Sequence, residues 1–476
     1  MTEIVNFLNG LIWSKALIAL CLGAGLYFSI RTRFMQIRGF KEMLRLMLKG
    51  KKSDAGVSSF QALAMSLSGR VGIGNIAGVA TAITFGGPGA VFWMWMSALL
   101  GASTSYVECT LAQIYKETDK QGKYRGGPAY YIEKAMGLRW YAIAFAVATV
   151  LATGVLLPGI QANGIAESVH NAWGVDPRVS AALIVIALGT IIVGGVKRIA
   201  RFAELVVPFM ALSYILVALV IMLINIENVP TIFALIFKSA FGMDAAFGAV
   251  LGLAVEWGVK RGVYSNEAGQ GTGPHAAAAA EVSHPAKQGY VQAFSIYVDT
   301  LLVCSATAFM ILSTSKFNVT HPDGSAIVEN LPGVATGPGF TQAAIESVMP
   351  GFGASFVALA LMFFAFTTIV AYYYMAETNV QYLARNAAPG WLVLALKLAM
   401  MVSVTYGAIR SATLAWGLGD IGVGLMAWLN IVAILILQKP ALLALKDYES
   451  QKRAGHDPTF DPAKLGIKNA TFWERR

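Results

Sequence analysis

Apolar runs of about twenty residues, the length a helix needs to cross the hydrocarbon core of a bilayer, recur along the whole chain. They fall near residues 11–30, 59–86, 88–115, 140–166, 179–196, 202–225, 246–281, 290–313, 352–376, 391–408 and 411–437, which predicts eleven transmembrane helices. A soluble architecture is excluded: only 13% of the 476 residues are charged, against roughly 25% in soluble domains. The runs near 59–86 and 246–281 are long and interrupted by glycine, so each reads as two half-helices.

The net charge of +10 reads as topology rather than as a nucleic-acid footprint. Arg31, Arg33, Arg38, Lys41, Arg45, Lys49, Lys51 and Lys52 crowd the first loop. Basic loops resist translocation, so that loop is expected in the cytoplasm and the N-terminus outside. Alternation across eleven spans then puts Lys116, Lys120, Lys123, Arg125, Lys134, Arg139, Lys197, Lys287 and Arg385 inside, and only Lys15, Arg178, Lys238, Lys316 and Arg410 outside. It also leaves the tail, with Lys439, Lys446, Lys452, Arg453, Arg475 and Arg476, in the cytoplasm. The start of the chain lacks the features of a cleaved leader, so the first span is expected to be retained. Outside loops are short except residues 314–340, where Asp323, Gly324, Pro332 and Gly333 predict irregular structure. Cys21, Cys109 and Cys304 lie in apolar runs without short spacing, which reads as packing and not as a metal or disulfide framework.

Residues 70–81 (RVGIGNIAGVAT) and 261–272 (RGVYSNEAGQGT) agree at Arg70/Arg261, Asn75/Asn266, Ala77/Ala268, Gly78/Gly269 and Thr81/Thr272. Each copy sits in a glycine-broken span, and those spans open two consecutive groups of five. Five is odd, so the groups run in opposite directions. The chain therefore divides into a first span with its basic loop (1–58), one repeat (59–225), an inverted repeat (226–438) and a cytoplasmic tail (439–476). Glycine-broken spans at matching positions of inverted halves mark the binding site of a transporter. Unpaired backbone in hydrocarbon costs several kcal/mol per group, so a break persists where protein, water or ligand satisfies it. Gly72 and Gly74 in one copy, and Gly262, Gly269, Gly271 and Gly273 in the other, let a ligand reach the main chain. Half-helix N-termini suit a carboxylate and freed carbonyls a cation, so a zwitterionic amino acid with a small hard cation fits both.

GRVGIGNIAGVATAITFGGPGAVFWMWMSALLGASTSYVE, YRGGPAYYIEKAMG and SNEAGQGTGPHAAAAA resemble signatures of the sodium:alanine symporter family, the alanine/glycine:cation symporters, with the likeness running over most of residues 15–440. The resemblance implies an all-α polytopic fold with LeuT-type inverted five-helix repeats preceded by one extra helix. It also implies sodium-coupled import of small neutral amino acids, chiefly alanine and glycine, across a prokaryotic cytoplasmic membrane. By that resemblance Gly72, Gly74 and Asn75 bind substrate, backbone N–H groups meeting its carboxylate, and Asn266, Gly269 and Gln270 complete the pocket. Gln161, in the Pro- and Gly-interrupted LLPGIQANGIA, takes the place of a helix that faces substrate. Thr367 and Thr368 take the place that gives hydroxyls to sodium, an ion that wants oxygen ligands. Ile73 stands where many relatives carry a small polar residue, so a hydroxyl near the site is absent.

Independently of family, Asn75 is expected to open the second half-helix as an N-cap. Arg70, Arg261 and Glu267 are ionisable groups at membrane depth and are candidates for gating or scaffolding. Glu108, Glu204, Glu256, Asp299 and Asp420 are embedded too, with no basis for ranking them. His275 reads as a structural hydrogen bonder. Gly72-x-Gly74-x-x-Ala77 fits a dinucleotide fingerprint only formally, because no acidic residue follows at the required distance. No catalytic constellation is present, which excludes the common enzyme classes. The remaining alternatives are coupling to protons through Glu267 or His275, and a channel.

Overall fold

The computed structural model describes residues 2–48, 56–244, 247–321, 323–385 and 389–474. Lys49, Lys51, Lys52, Arg475 and Arg476 lie outside the described residues. Helices α1 (Thr2–Ile12) and α2 (Lys15–Arg31) form the first span, and short helices α3 (Met35–Arg38) and α4 (Phe40–Leu48) follow it. The first repeat opens with α5 (Ser59–Arg70), a wide π turn at Gly74–Gly78 and α6 (Val79–Gly86). It continues through α7 (Gly89–Ile114), strands β1 (Glu117–Thr118) and β2 (Tyr124–Arg125), and α8 (Pro128–Tyr131). Then come α9 (Arg139–Leu151) with α10 (Leu157–Trp173), α11 (Pro177–Ile192) and α12 (Gly195–Ile224). A connecting helix, α13 (Val229–Ala240), leads to the second broken helix, α14 (Leu251–Asn266) and α15 (Gly273–Ala279). Next are α16 (Pro285–Ile296), a π stretch at Tyr297–Cys304, and α17 (Ser305–Ser313). Strands β3 (Asn318–Thr320) and β4 (Ala326–Glu329) precede α18 (Pro338–Val348), α19 (Gly353–Leu383), α20 (Gly390–Ala408), α21 (Ala412–Arg453) and α22 (Thr471–Glu474).

Among the described residues, seven helices are long and apolar enough to cross a membrane: Glu3–Arg31, Arg139–Trp173, Gly195–Ile224, Pro285–Ser313, Gly353–Leu383, Gly390–Ala408 and Ala412–Arg453. The other four expected spans miss that measure for visible reasons. Two are broken into halves, α11 has only 16 residues, and α7 carries Ser103, Thr104, Ser105, Glu108, Thr110 and Gln113 on buried faces. The last helix runs well past residue 437, because Ala441, Ala444, Leu445 and Tyr448 are buried and hold its polar end to the protein. Residues 314–340 are less irregular than expected: β3 and β4 pair as an antiparallel hairpin, and the Asn318 amide braces Leu331 by two 2.8 Å bonds.

A short parallel bridge joins Val57 to Ala280, with Val57 N–H donating to Ala279 O at 3.0 Å. The first broken helix thus starts at the face where the second one ends, so the two run in opposite directions. Ser58 and Gln61 cap the start of α5 reciprocally, a capping box that satisfies two orphan N–H groups. The chain after α21 lies across this same face. Trp473 Nε1 donates to Gln113 O at 2.9 Å, Asn469 Nδ2 to Lys134 O at 2.9 Å, and Phe460 N–H to Ser283 O at 3.1 Å. Lys116 donates to Ala280 O at 2.7 Å, with its ammonium 4.5 Å from the ring centres of Tyr124 and Phe472. The tail therefore straps the α7–α9 end of one repeat to the α15–α16 end of the other.

His284 caps α16 at this face, its Nδ1 accepting Ala286 N–H at 3.1 Å while Nε2 lies 3.2 Å from Asp447 Oδ2. Burial lowers its pKa to about 4 and outweighs the opposing pull of Asp447. The folded protein then binds fewer protons than the unfolded chain between that value and the ordinary 6.5. The neutral ring's contribution is complete above the higher value and is lost as pH falls toward the lower one. Thermal unfolding in detergent should show up to about 3 kcal/mol of destabilisation across that window, and His284→Asn, which keeps a cap, should flatten the dependence.

Candidate functional site

α5 ends because Val71 turns extended (ψ 91°) after its N–H makes the last helical bond to Leu67 O, which releases the Val71 carbonyl and the N–H groups of Gly72 and Ile73 from helical bonding. Side chains from other elements take over. Gly72 N–H donates to Asn75 Oδ1 at 2.8 Å and Ile73 N–H donates to Gln161 Oε1 at 3.0 Å. From α19, Thr368 Oγ1 lies 2.9 Å from Ser68 O, 3.3 Å from Val71 O and 2.9 Å from Phe364 O. Phe364 O already accepts the helical Thr368 N–H, so the one hydroxyl proton is shared between Ser68 O and Val71 O at the end of α5. A Cβ on Gly72 would stand 2.5 Å from Thr368 Oγ1 and 2.9 Å from Gln161 Oε1, so only glycine lets α19 and α10 meet at this break. Ile73 packs against Gly164 of α10.

The expected N-cap is corrected. Asn75 lies inside the π turn, and its amide oxygen faces back to Gly72. Its Nδ2 donates to Asp299 Oδ1 at 2.6 Å. Asp299 also accepts from Ser265 Oγ (2.9 Å to Oδ2) and Thr300 Oγ1 (2.7 Å). Asp299 is thus the carboxylate shared by both broken helices. It was among the unranked acids, because nothing in the primary structure puts the π stretch of Tyr297–Cys304 beside Asn75. The two broken helices touch where a Cβ on Gly74 would lie 3.1 Å from the Tyr264 ring.

The second break is built by Glu267, Gly269 and Gly271, all with positive φ (58°, 79° and 87°). A left-handed glutamate costs of order 1–3 kcal/mol, and such strain collects at functional sites. Asn266 Oδ1 accepts Ala268 N–H at 3.0 Å and so caps its own break. Gly269 N–H donates to Glu108 Oε1 at 3.2 Å, and Asn430 Nδ2 donates to Glu108 Oε2 at 2.7 Å and Gly269 O at 3.0 Å. Gly269 is therefore tied to α7 and α21. Glu267 and Gln270, by contrast, are fully buried with no hydrogen-bond partner on any side-chain oxygen or nitrogen, and Thr272 Oγ1 is also unpartnered. Glu267 lies against the first broken helix, its Oε2 3.4 Å from where a Gly69 Cβ would stand. Buried polar atoms without partners are expensive, so this corner has the chemistry to take up a polar guest.

The structure separates the remaining candidates. Thr367 is not at the break; its hydroxyl bonds Phe364 O at 2.9 Å and faces Met210 of α12. Arg70 forms no salt bridge among the described residues and instead joins α5 to Ser295, Gln292 O and Ser105. Arg261 does pair, with Asp420 Oδ2 at 2.5 Å, and Lys260 shares that oxygen at 2.9 Å. The Arg261 guanidinium lies 4.5 Å from the Trp416 ring centre, and Trp13 Nε1 donates to Asp420 O at 2.8 Å. This buried clamp locks α14 to α21 and to the extra first span. His275 has both ring nitrogens engaged, by Thr272 O at 3.0 Å and the Asn379 amide at 2.8 Å, which fits the structural role expected of it.

Two oppositely running groups of helices, whose leading helices break around buried polar groups, are the architecture of an alternating-access secondary transporter. The chain belongs to the sodium:alanine symporter family, which it matches over residues 1–462. It is 62% identical to the putative sodium/proton-dependent alanine carrier protein YrbD of Bacillus subtilis (strain 168), over 100% of this chain and 98% of that one. It is 57% identical to the sodium/proton-dependent alanine carrier protein of Bacillus sp. (strain PS3), over 91% of this chain and 97% of that one. Among solved structures it is similar to a Na+-coupled sialic acid symporter in a substrate-bound outward-open state, with a TM-score of 0.53 at 13% identity, covering 98% of this chain and 96% of the other. At that identity the likeness establishes the LeuT-type fold alone.

Two substitutions test this geometry by thermal unfolding in detergent. Gly72→Ala forces Thr368 and Gln161 apart and should cost about 1–3 kcal/mol, whereas Gly23→Ala, with nothing within 4 Å, should be neutral. Asp420→Asn strands two buried cations and should cost about 3–5 kcal/mol.

Proposed function

We propose that this chain imports alanine, and glycine as a second substrate, together with sodium across a prokaryotic cytoplasmic membrane. The observation that carries the reading is the oxygen cluster at the first break: Ser68 O and Val71 O, at the end of α5, share the one proton of the Thr368 hydroxyl. Sodium supplies the missing positive charge to such a set, and family membership supports that ion. Asp299, held by Asn75, Ser265 and Thr300, provides negative charge beside both broken helices. On this reading Gln161 keeps the place of the substrate carboxylate: its Oε1 occupies the Ile73 N–H that a carboxylate oxygen takes when the amide swings away. The close approach of Thr368 and Gln161 to Gly72, and of Tyr264 to Gly74, supports a small substrate side chain.

Eleven crossings, the N-terminus outside and the C-terminus in the cytoplasm follow from the distribution of basic residues, with repeats at 59–225 and 226–438. A second reading, coupling to protons, is favoured by one observation: both oxygens of Glu267 are buried without a partner, the state a neutral carboxyl tolerates best. The two Bacillus relatives are named as carriers dependent on sodium or protons.

Uptake of labelled alanine into proteoliposomes at one pH should require an inward sodium gradient and be competed by glycine and not by leucine. A proton gradient that sufficed without sodium would transfer the coupling to Glu267. Thr368→Val should raise the sodium concentration for half-maximal uptake about ten- to hundredfold, the worth of one bond to a charged group. Thr367→Val should stay within about twofold.

A further inference from the structure

The elbow after the first span borders a cavity whose lining includes no residue of either helix break. Arg33 and Phe34 both have positive φ (56° and 52°), and this double left-handed turn folds α3 and α4 sideways from the end of α2. The cavity, of about 410 Å³, is lined by Arg33 and Arg38 from the elbow and by Lys452 and Arg453 from the last turn of α21, with Tyr290 and Tyr448 behind them. Four cations from distant parts of the chain face two carboxylates, Glu42 and Glu449. The carboxylates are already engaged: Tyr448 OH donates to Glu42 Oε1 at 2.5 Å, and Tyr290 OH and Arg38 lie 3.2 Å and 2.6 Å from Glu449 Oε1. Arg33 and Arg453 form no ion pair among the described residues and are exposed, so the rim carries net positive charge.

The same elbow exposes Phe34, Ile37 and Phe40, at 44%, 57% and 43%. Basic heads around a hollow, with large apolar side chains beside it at the end of a membrane helix, match a ligand that is anionic at one end and oily at the other. Basic pockets at this boundary have the chemistry to bind anionic headgroups. Aromatic and aliphatic side chains at that depth insert among acyl chains.

We propose that this cavity holds the phosphate of an anionic phospholipid, with Arg33 and Arg453 as its main contacts and Phe34, Ile37 and Phe40 among the acyl chains. The site joins the first span to the end of α21, so the bound lipid bridges the extra helix and the second repeat. The inference rests on the basic face lying at the membrane boundary and not on which substrate is carried, and its test reads lipid identity without transport.

The test is native mass spectrometry of the detergent-purified full chain titrated with phosphatidylglycerol, phosphatidylcholine or inorganic phosphate. The wild type should retain phosphatidylglycerol over phosphatidylcholine. Arg33→Gln with Arg453→Gln should weaken that preference about thirtyfold, roughly fivefold for each cation withdrawn. Lys464→Gln, an exposed cation outside the cavity, should leave it intact. Equal binding of the two lipids, displacement of phosphatidylglycerol by inorganic phosphate at matched concentration, or equal loss with Lys464→Gln would each overturn the proposal. A circular dichroism melt shows that the double variant is folded.

Discussion

Everything in this structure answers one requirement: backbone released from helical bonding at two places in the middle of a bilayer must find partners there. The hydrocarbon cannot supply them, and each orphan costs several kcal/mol. At the first break the partners come from three other elements, Asn75 in the turn, Gln161 in α10 and Thr368 in α19. At the second they come from Glu108 in α7 and Asn430 in α21. The breaks therefore dictate which helices must touch, and the bundle is packed around them. Gly72 is small because Thr368 and Gln161 sit where its side chain would otherwise be, and Gly74 because Tyr264 does.

The two breaks are satisfied unequally, and that inequality is where function enters. Gly269 is bound on both its N–H and its carbonyl, whereas Glu267, Gln270 and Thr272 a few atoms away are bare. At the Thr368 hydroxyl, Ser68 O and Val71 O share one proton. The permanent charges are handled differently. Arg261 and Lys260 share the Asp420 carboxylate inside an aromatic surround, and Arg70 spreads its bonds over neutral groups on two helices. One set ties α14 to α21, and the other ties α5 to α7 and α16.

Much of this was legible in the primary structure. The apolar runs, the glycine-broken pair and their opposite sense follow from composition, counting and charge, and helices occupy the places so predicted. Gln161 and Thr368 lie at the first break. Thr367 does not: two neighbours on a helix face directions about 100° apart, and which of them meets the break depends on how α19 rotates against α5. Asn75 was misread for a related reason. A π turn replaces the ordinary helix start, so its amide faces back to Gly72 instead of forward. Asp299 and Asp420 stood out only as acids in apolar surroundings, and their partners, Asn75 with Ser265 and Arg261 with Lys260, lie far away along the chain.

By itself, then, the sequence determined that the chain lives in a bilayer, that its two halves are inverted, and that each begins with a helix unable to continue, because length, periodicity and glycine content act locally. Tertiary structure alone decided which side chains repair those breaks, which are left wanting, and which charges pair. Those outcomes depend on the rotation and register of helices against one another, and such packing is settled by the summed contacts of the whole bundle, not by any one segment.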